Sequence, residues 1–360
     1  MSGLGTAARA AATRRSSRAL SLAVLACAAA ASRAAGEAAA APATEPVRPA
    51  EIVPLAARGL LIALTTAGPR LVAVGDRGII VLSDDRGASW TQAEYVPTQA
   101  LLTGVCFLDA QHGVAVGHDE IILTTADAGR TWKRTHYAPQ ALRPLLDVWC
   151  GAGGRAIAVG AYSAYFTSAD SGASWSAVKF APATTQGAAR EAQEPGGGYH
   201  LNRIVAAGAA RLYIAGEAGH LYRSDDLGAS WRTLGSPYEG SFFAVLPLAG
   251  DALLAFGLRG RLYRSADAGA SWQQIDTGTV ALLAGGTAPD EHTVAIVGLS
   301  GVVLLSRDGG RTFALQQQAD RTGLSATAPA GEGRLAVVGE EGAKLLRLGP
   351  AASVSAGASP

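Results

Sequence analysis

"SDDRGASW", residues 83–90, places two adjacent carboxylates, a glycine, hydroxyl groups and a tryptophan within eight residues. Three readings are open: a metal loop, a catalytic acid, or a piece of framework. The phrase returns as "TADAGRTW" (125–132), "SADSGASW" (168–175), "SDDLGASW" (224–231), "SADAGASW" (265–272) and "SRDGGRTF" (306–313). The shared pattern is Ser/Thr-x-Asp-x-Gly-x-Ser/Thr-aromatic. Its aspartates are Asp85, Asp127, Asp170, Asp226, Asp267 and Asp308, spaced 42, 43, 56, 41 and 41 residues apart. A repeat with this period decides the architecture before any other feature does.

A second phrase precedes each box: "VAVGDRGIIVLS", "VAVGHDEIILTT", "IAVGAYSAYFTS", "YIAGEAGHLYRS", "LAFGLRGRLYRS" and "AIVGLSGVVLLS". A seventh copy, "AVVGEEGAKLLR" (336–347), has no box after it. Each reads as an apolar strand, a turn, and a second strand. A further short strand such as "LTGVCFLD" lies upstream. Seven strand-rich units predict an all-β, seven-bladed β-propeller over residues 48–348. "RPAEIVPLA" (48–56) has no unit of its own, so it is expected to supply the outer strand of the last blade and remove a free edge.

In this register each box joins the third strand of a blade to the fourth. The glycine suits a positive φ, and the aspartate can accept backbone N–H bonds inside the turn. The aromatic residues Trp90, Trp132, Trp175, Trp231, Trp272 and Phe313 start the last strand. A calcium loop needs carboxylates at alternating positions and a bidentate glutamate, which "SADAGASW" lacks. Six equivalent boxes around a ring argue for staples, not for catalysis.

The chain of 360 residues is 49% hydrophobic with a net charge of +1, which excludes a disordered protein and leaves nucleic-acid binding without an electrostatic footprint. Residues 1–35 place Arg9, Arg14, Arg15 and Arg18 before "ALSLAVLACAAAA" and a run of small residues, the layout of an export signal. The apolar run is short for a membrane span. Export to the periplasm or secretion follows as an expectation. "VLAC" offers Cys27 as a lipid-attachment point. A flexible leader is expected over 36–47, an insertion over 181–199, as a flap or a disordered loop, and a disordered tail over 349–360. Cys106 and Cys150 fall one residue out of step in neighbouring inner strands. Their side chains are therefore expected on opposite faces, as small core residues in preference to the disulfide that an oxidising compartment would allow.

The boxes resemble the Asp-box, or bacterial neuraminidase repeat. With the strand pair joined to each box, residues 50 to 348 resemble the photosystem II stability/assembly factor-like family of seven-bladed propellers, including its exported proteobacterial branch. "HLN" (200–202), "SPYEGSFF" (236–243) and "FGLRG" (256–260) are similar to segments of that branch. The resemblance implies a protein partner, a membrane or envelope complex, with photosystem II components as that partner in a phototroph.

Loop positions sort by rim. Second-to-third turns and blade crossovers share one rim, where a rigid framework presents variable loops. The partner-binding candidates there are Arg77, His118, Asp119, His200, Asn202, Arg203, Tyr238, Glu239 and Arg259. Asn202 is the one asparagine of the chain; it reads as a turn-stabilising residue or as a ligand contact. Tyr238, Glu239 and Arg259 read as a docking patch of the type that aromatic and arginine residues form. "GAGGR" (151–155) imitates a phosphate loop but precedes no helix. The six histidines are scattered singly, without metal-ligand spacing. No cofactor, metal or catalytic residue is expected, and the chain is expected to be a monomer. The leading expectation is a non-catalytic binding scaffold. The alternative is a sialidase-like glycoside hydrolase, whose Arg-Ile-Pro-type motif and arginine triad are missing, or a peptide- or glycan-binding propeller.

Overall fold

The second strand of each unit is apolar along its length because neighbouring sheets cover both of its faces. Leu71, Val72, Ala73 and Val74 of the strand Arg70–Gly75 are all buried, as expected of a strand with no solvent face. A computed structural model describes residues 47–183, 198–331 and 333–349. They form seven antiparallel sheets in a ring, a seven-bladed β-propeller. The export signal with Cys27, the leader up to residue 46, most of the insertion (184–197) and the tail from 350 lie outside the described residues.

Blade 1 runs outward from Leu61–Ala67 through Arg70–Gly75 and Ile80–Ser83 to Thr91–Gln92. Blades 2 to 6 repeat this order over 102–136, 145–177, 201–233, 242–275 and 283–317. The box lies between the third and fourth strands in each, as the repeat predicts. Separate apolar clusters fill the seams between adjacent blades. Val72 and Leu82 of blade 1, for example, meet Ala115, Leu123 and Trp132 of blade 2.

Blade 7 departs from expectation. It has three strands, Leu324–Pro329, Arg334–Gly339 and Gly342–Arg347. Segment 48–56 does not complete it. The Ala50 N–H donates to the Val96 carbonyl (2.8 Å). The Gln92 side chain accepts from the Val53 N–H (2.9 Å) and donates to the Glu51 carbonyl (2.8 Å). The segment therefore crosses the end of blade 1 and enters its inner strand through a short turn, Ala56–Arg58. Pro49 and Pro54 are the physical reason, since proline cannot donate to a ladder. The ring closes instead through apolar packing, with Leu61, Ala73 and Val81 of blade 1 against Ala326 and Val338 of blade 7.

The cysteines also correct the sequence reading. Cys106 and Cys150 form a disulfide, with Cα atoms 5.7 Å apart. Their strands pair with their neighbours in the same register, Val105 and Val148 occupying matching positions, so the two side chains do leave opposite faces. In a stack of blades, however, the forward face of blade 2 looks onto the rear face of blade 3. Opposite faces on adjacent blades point at each other, and both sulfurs sit in the seam lined by Val114, Val148 and Phe166.

Candidate functional site

In blades 1 to 6 each second-to-third turn puts its middle residue in the left-handed region. Arg77, Asp119, Tyr162, Ala218, Arg259 and Ser300 have φ between 51 and 62°. The next position is glycine in blades 1, 4, 5 and 6; in blades 1, 4 and 5 a crossover carbonyl packs onto it. A Cβ at Gly78 would lie 2.1 Å from the Thr98 oxygen, and one at Gly219 would lie 2.0 Å from that of Tyr238. Blades 2 and 3 break this rule with Glu120 (φ 49°) and Ser163 (φ 57°). Their side chains reach the crossovers that follow, Glu120 at Arg143 and Ser163 at Tyr199.

Around these two exceptions the rim gathers its chemistry. The buried Glu120 carboxylate accepts from Arg143 Nε (2.8 Å) and lies 3.4 Å from His136 Nε2. The His136 ring leans on Phe166, with centroids 5.1 Å apart. Ser163 donates to the Tyr199 carbonyl (3.2 Å). The half-exposed Tyr162 meets His200 edge-on at 5.0 Å, and the His200 N–H donates to Glu217 (3.2 Å). The Tyr199 ring stacks on His220 at 3.9 Å. Four of the six histidines, His118, His136, His200 and His220, thus lie at the turns, the crossover and the outer-strand end of blades 2 to 4. Among the described residues, no three His, Cys, Asp or Glu side chains come together as a metal site.

The remaining candidates divide. Arg77 is exposed and lines a cavity of about 310 Å³ with Glu51, Val53, Ile79 and Gln99. His118 is exposed beside Asp119, whose carbonyl accepts the Ala138 N–H. Asn202 and Arg203 are not at the rim surface but in the inner strand of blade 4. Asn202 Nδ2 donates to the Phe242 carbonyl (2.8 Å) and ties blade 4 to blade 5. Arg203 lies 3.6 Å from Asp147 of blade 3. Burial pushes the Asp147 carboxyl up, against the pull of Arg203 and of the Ile204 N–H. Tyr238 packs inward against Phe242 and Tyr263, while Glu239 and Arg259 stay exposed. Glu120, Arg143 and Tyr199 were missed by the sequence reading. The signal was present in "HDE" and "AYS", the two turns without a third-position glycine.

The opposite rim is closed by the boxes. Asp170 Oδ1 accepts from Ser168 Oγ (2.8 Å) and the Ser174 N–H (2.9 Å), and Oδ2 accepts from Ser174 Oγ (2.6 Å). The Ser168 hydroxyl oxygen in turn accepts the Gly172 N–H (2.9 Å). All six boxes share this network. The bonds from Ser89, Ser174 and Ser271 hold the Asp85, Asp170 and Asp267 carboxyls down at about 2. Each box aromatic fills the seam to the preceding blade: Trp132 against blade 1, Trp175 against blade 2, Phe313 against blade 5. The boxes therefore staple blade to blade as well as strand to strand.

With the ring, its boxes and its crossovers established, residues 82–276 match the family of the photosynthesis system II assembly factor YCF48. The chain belongs to that family. Among solved structures it is similar to a YCF48 bound to a D1 peptide, 15% identical with a TM-score of 0.64, over 85% of this chain and 97% of that one. It is similarly related to YCF48 from Cyanidioschyzon merolae, 17% identical with a TM-score of 0.64, over 82% and 97% of the two chains. A GH74 xyloglucanase from Xanthomonas campestris is 16% identical with a TM-score of 0.61, over 84% of this chain but 54% of the enzyme. Among curated proteins no sequence match is found. At these identities the solved structures speak to the fold alone.

Proposed function

We propose that this YCF48-family propeller is an exported, non-catalytic docking protein. It holds a segment of a membrane or envelope protein complex on its crossover rim, centred on blades 2 to 4. One observation carries the reading: six of the ten exposed large apolar side chains among the described residues stand on that rim, with Leu142 and Tyr162 at blades 2 and 3. Ile52, Leu55, Leu142, Tyr162, Val280 and Leu299 all belong to its turns, crossovers or entry segment, and none of the exposed large apolar residues lies in a box. Leu142 and Tyr162, with His118 and His200 near them in the turns, supply an apolar and aromatic surface of the kind that anchors protein partners. A peptide-bound relative, the YCF48 with a D1 peptide, supports a polypeptide as the ligand class. In a phototrophic host the complex would be photosystem II. The Cys106–Cys150 bond fits an oxidising compartment and, with the layout of residues 1–35, supports export, with Cys27 as a lipid-attachment point.

The GH74 likeness keeps glycoside hydrolysis as the competing reading. A glycosidase needs two carboxyl groups flanking a bond, one acting as acid. On this rim Glu120 is held by Arg143, Glu217 by the His200 N–H, and Glu340 by the Gly323 N–H (2.9 Å). That favours docking.

The test is capture of membrane proteins from envelope extract by the tagged chain. Leu142→Ser with Tyr162→Ala should remove the captured protein, whereas Asp127→Asn in a box should retain it in the folded fraction. Loss with the box variant alone, or xyloglucan hydrolysis by the pure protein, would overturn the reading.

A further inference from the structure

Blade 7 is the one blade without a box, and among the described residues no strand pairs with the outer side of Gly342–Arg347, whose first residue, Gly342, packs against Ala57 and Arg58 of the entry turn. In blade 1 the corresponding residues Val81 and Leu82 pair with Gln92 and Thr91. Their counterparts in blade 7, Lys344 and Leu345, pair inward with Val337 and Ala336 and leave their outer side open. Alternate residues of such an edge turn N–H and C=O groups outward, a template for another strand.

Positive charge is concentrated at this edge. Elsewhere on the box rim, some arginines are held by carboxylates of their own or the next blade, while Arg155 and Arg311 reach carbonyls. Arg70 grips Asp84 while reaching the Ala128 carbonyl of blade 2, and Arg211 joins Asp225 to Asp251 of blade 5. Around blade 7 the arginines have no such partners. Arg334 and Arg347 stand opposite each other in register. Arg86, from the box of blade 1, reaches Gly331 beside Arg334. Arg307, from the box of blade 6, donates to the Gly349 carbonyl (3.1 Å). None of the four forms an ion pair with a carboxylate among the described residues. Four cations therefore surround one end of an unpaired strand, at the position where every other blade has its acidic box.

We propose that the outer edge of blade 7, residues 343–347, accepts an extended acidic segment of a partner protein as its fourth strand. Main-chain hydrogen bonds provide the pairing, as in other cases of strand addition, and carboxylates of the incoming segment meet Arg86, Arg307, Arg334 and Arg347. This adds a second surface to the docking protein proposed above, and it rests on that reading only in taking the partner to be a protein.

The probe is a fluorescent twelve-residue peptide of alternating Glu and Val, titrated against the full chain by anisotropy, with hydrogen exchange of amides 343–347 followed in parallel. The expected results are binding that weakens with salt and added protection of these amides. A Gln-for-Glu peptide should bind at least tenfold more weakly, and a peptide N-methylated at alternate residues should not bind. Arg334→Gln with Arg347→Gln should weaken binding at least tenfold, without altering the unfolding midpoint or the capture that depends on Leu142 and Tyr162. Four results would overturn the proposal: no binding, indifference to N-methylation, protection in the free chain that grows with its concentration, or protection in the free chain that disappears when it is shortened to end at Gly349. The third assigns the edge to a second copy and the fourth to the chain's own tail. Loss of crossover-rim capture, by contrast, would overturn the docking reading and leave this edge untouched.

Discussion

The two rims of the ring use turns of equal tightness for different ends. Both place non-glycine residues at positive φ: Arg77, Asp119, Tyr162 and Arg259 on the crossover rim, Arg86, Ala128, Ser171 and Leu227 on the box rim. Backbone strain therefore does not separate a functional rim from a structural one here. Hydrogen bonding does. A box carboxylate is consumed by the hydroxyl and amide groups of its own octet, whereas Tyr162, His118 and Arg259 project outward. Repetition in the sequence marks groups that satisfy each other, whereas departures from it divide between buried ties such as Glu120 and Asn202 and exposed side chains such as Tyr162.

The sharpest way to break this contrast is to truncate one aromatic from each rim. Trp132 is 1% exposed, fills the seam between blades 1 and 2, and donates to the Gly129 carbonyl (2.9 Å). Trp132→Ala should cost about 3–5 kcal/mol of stability. Tyr162 is 51% exposed, and Tyr162→Ala should change stability by no more than about 0.5 kcal/mol. Urea unfolding followed by tryptophan fluorescence measures both. Comparable losses would show that the crossover rim is as structural as the box rim.

The disulfide gives the next effect in size. It closes a stretch of 44 residues and joins two blades that the boxes also join. Constraining the unfolded chain in this way is worth about 2–4 kcal/mol. Reductant should lower the urea midpoint of the parent chain and leave unchanged that of a Cys106→Ala, Cys150→Ala double variant. Equal midpoints for the parent with and without reductant would show that the boxes alone hold this seam.

Reading the sequence captured what repeats and lost what depends on relations between repeats. The boxes, the blade count and the place of each turn were legible because every unit states them again. The cysteine pair was misread because parity was judged within one sheet, where Cys106 and Cys150 diverge, and not across a seam, where they converge. The entry segment was misread because ring closure was assumed to need a strand, although Pro49 and Pro54, of opposite parity, leave one proline facing the ladder without a donor in either register. At the site, His118 and His200 were in view as turn and crossover residues. Glu120 was hidden by its burial: no spacing rule announces that Arg143, 23 residues on, will hold it.

The smallest effect tests the boxes without touching the core. In the folded chain the Asp85, Asp170 and Asp267 carboxyls titrate at about 2, held down first by the Ser89, Ser174 and Ser271 hydroxyls and then by the amides of the same residues. In the unfolded chain these bonds are gone and an aspartate titrates near its ordinary value, about 3.9. The unfolded state thus binds protons first as pH falls, so the boxes stabilise the fold fully above about pH 4 and lose that contribution between about pH 4 and pH 2. The urea midpoint should fall across this window. In the triple variant Asp85→Asn, Asp170→Asn, Asp267→Asn it should start lower at neutral pH and fall less steeply, because three of the titrating groups are gone. Asp127, Asp226 and Asp308, whose carboxyls are also held down, keep part of the slope. An unchanged slope in the variant would assign the acid sensitivity to carboxylates outside these three boxes, and the division of labour between the rims would have to be redrawn.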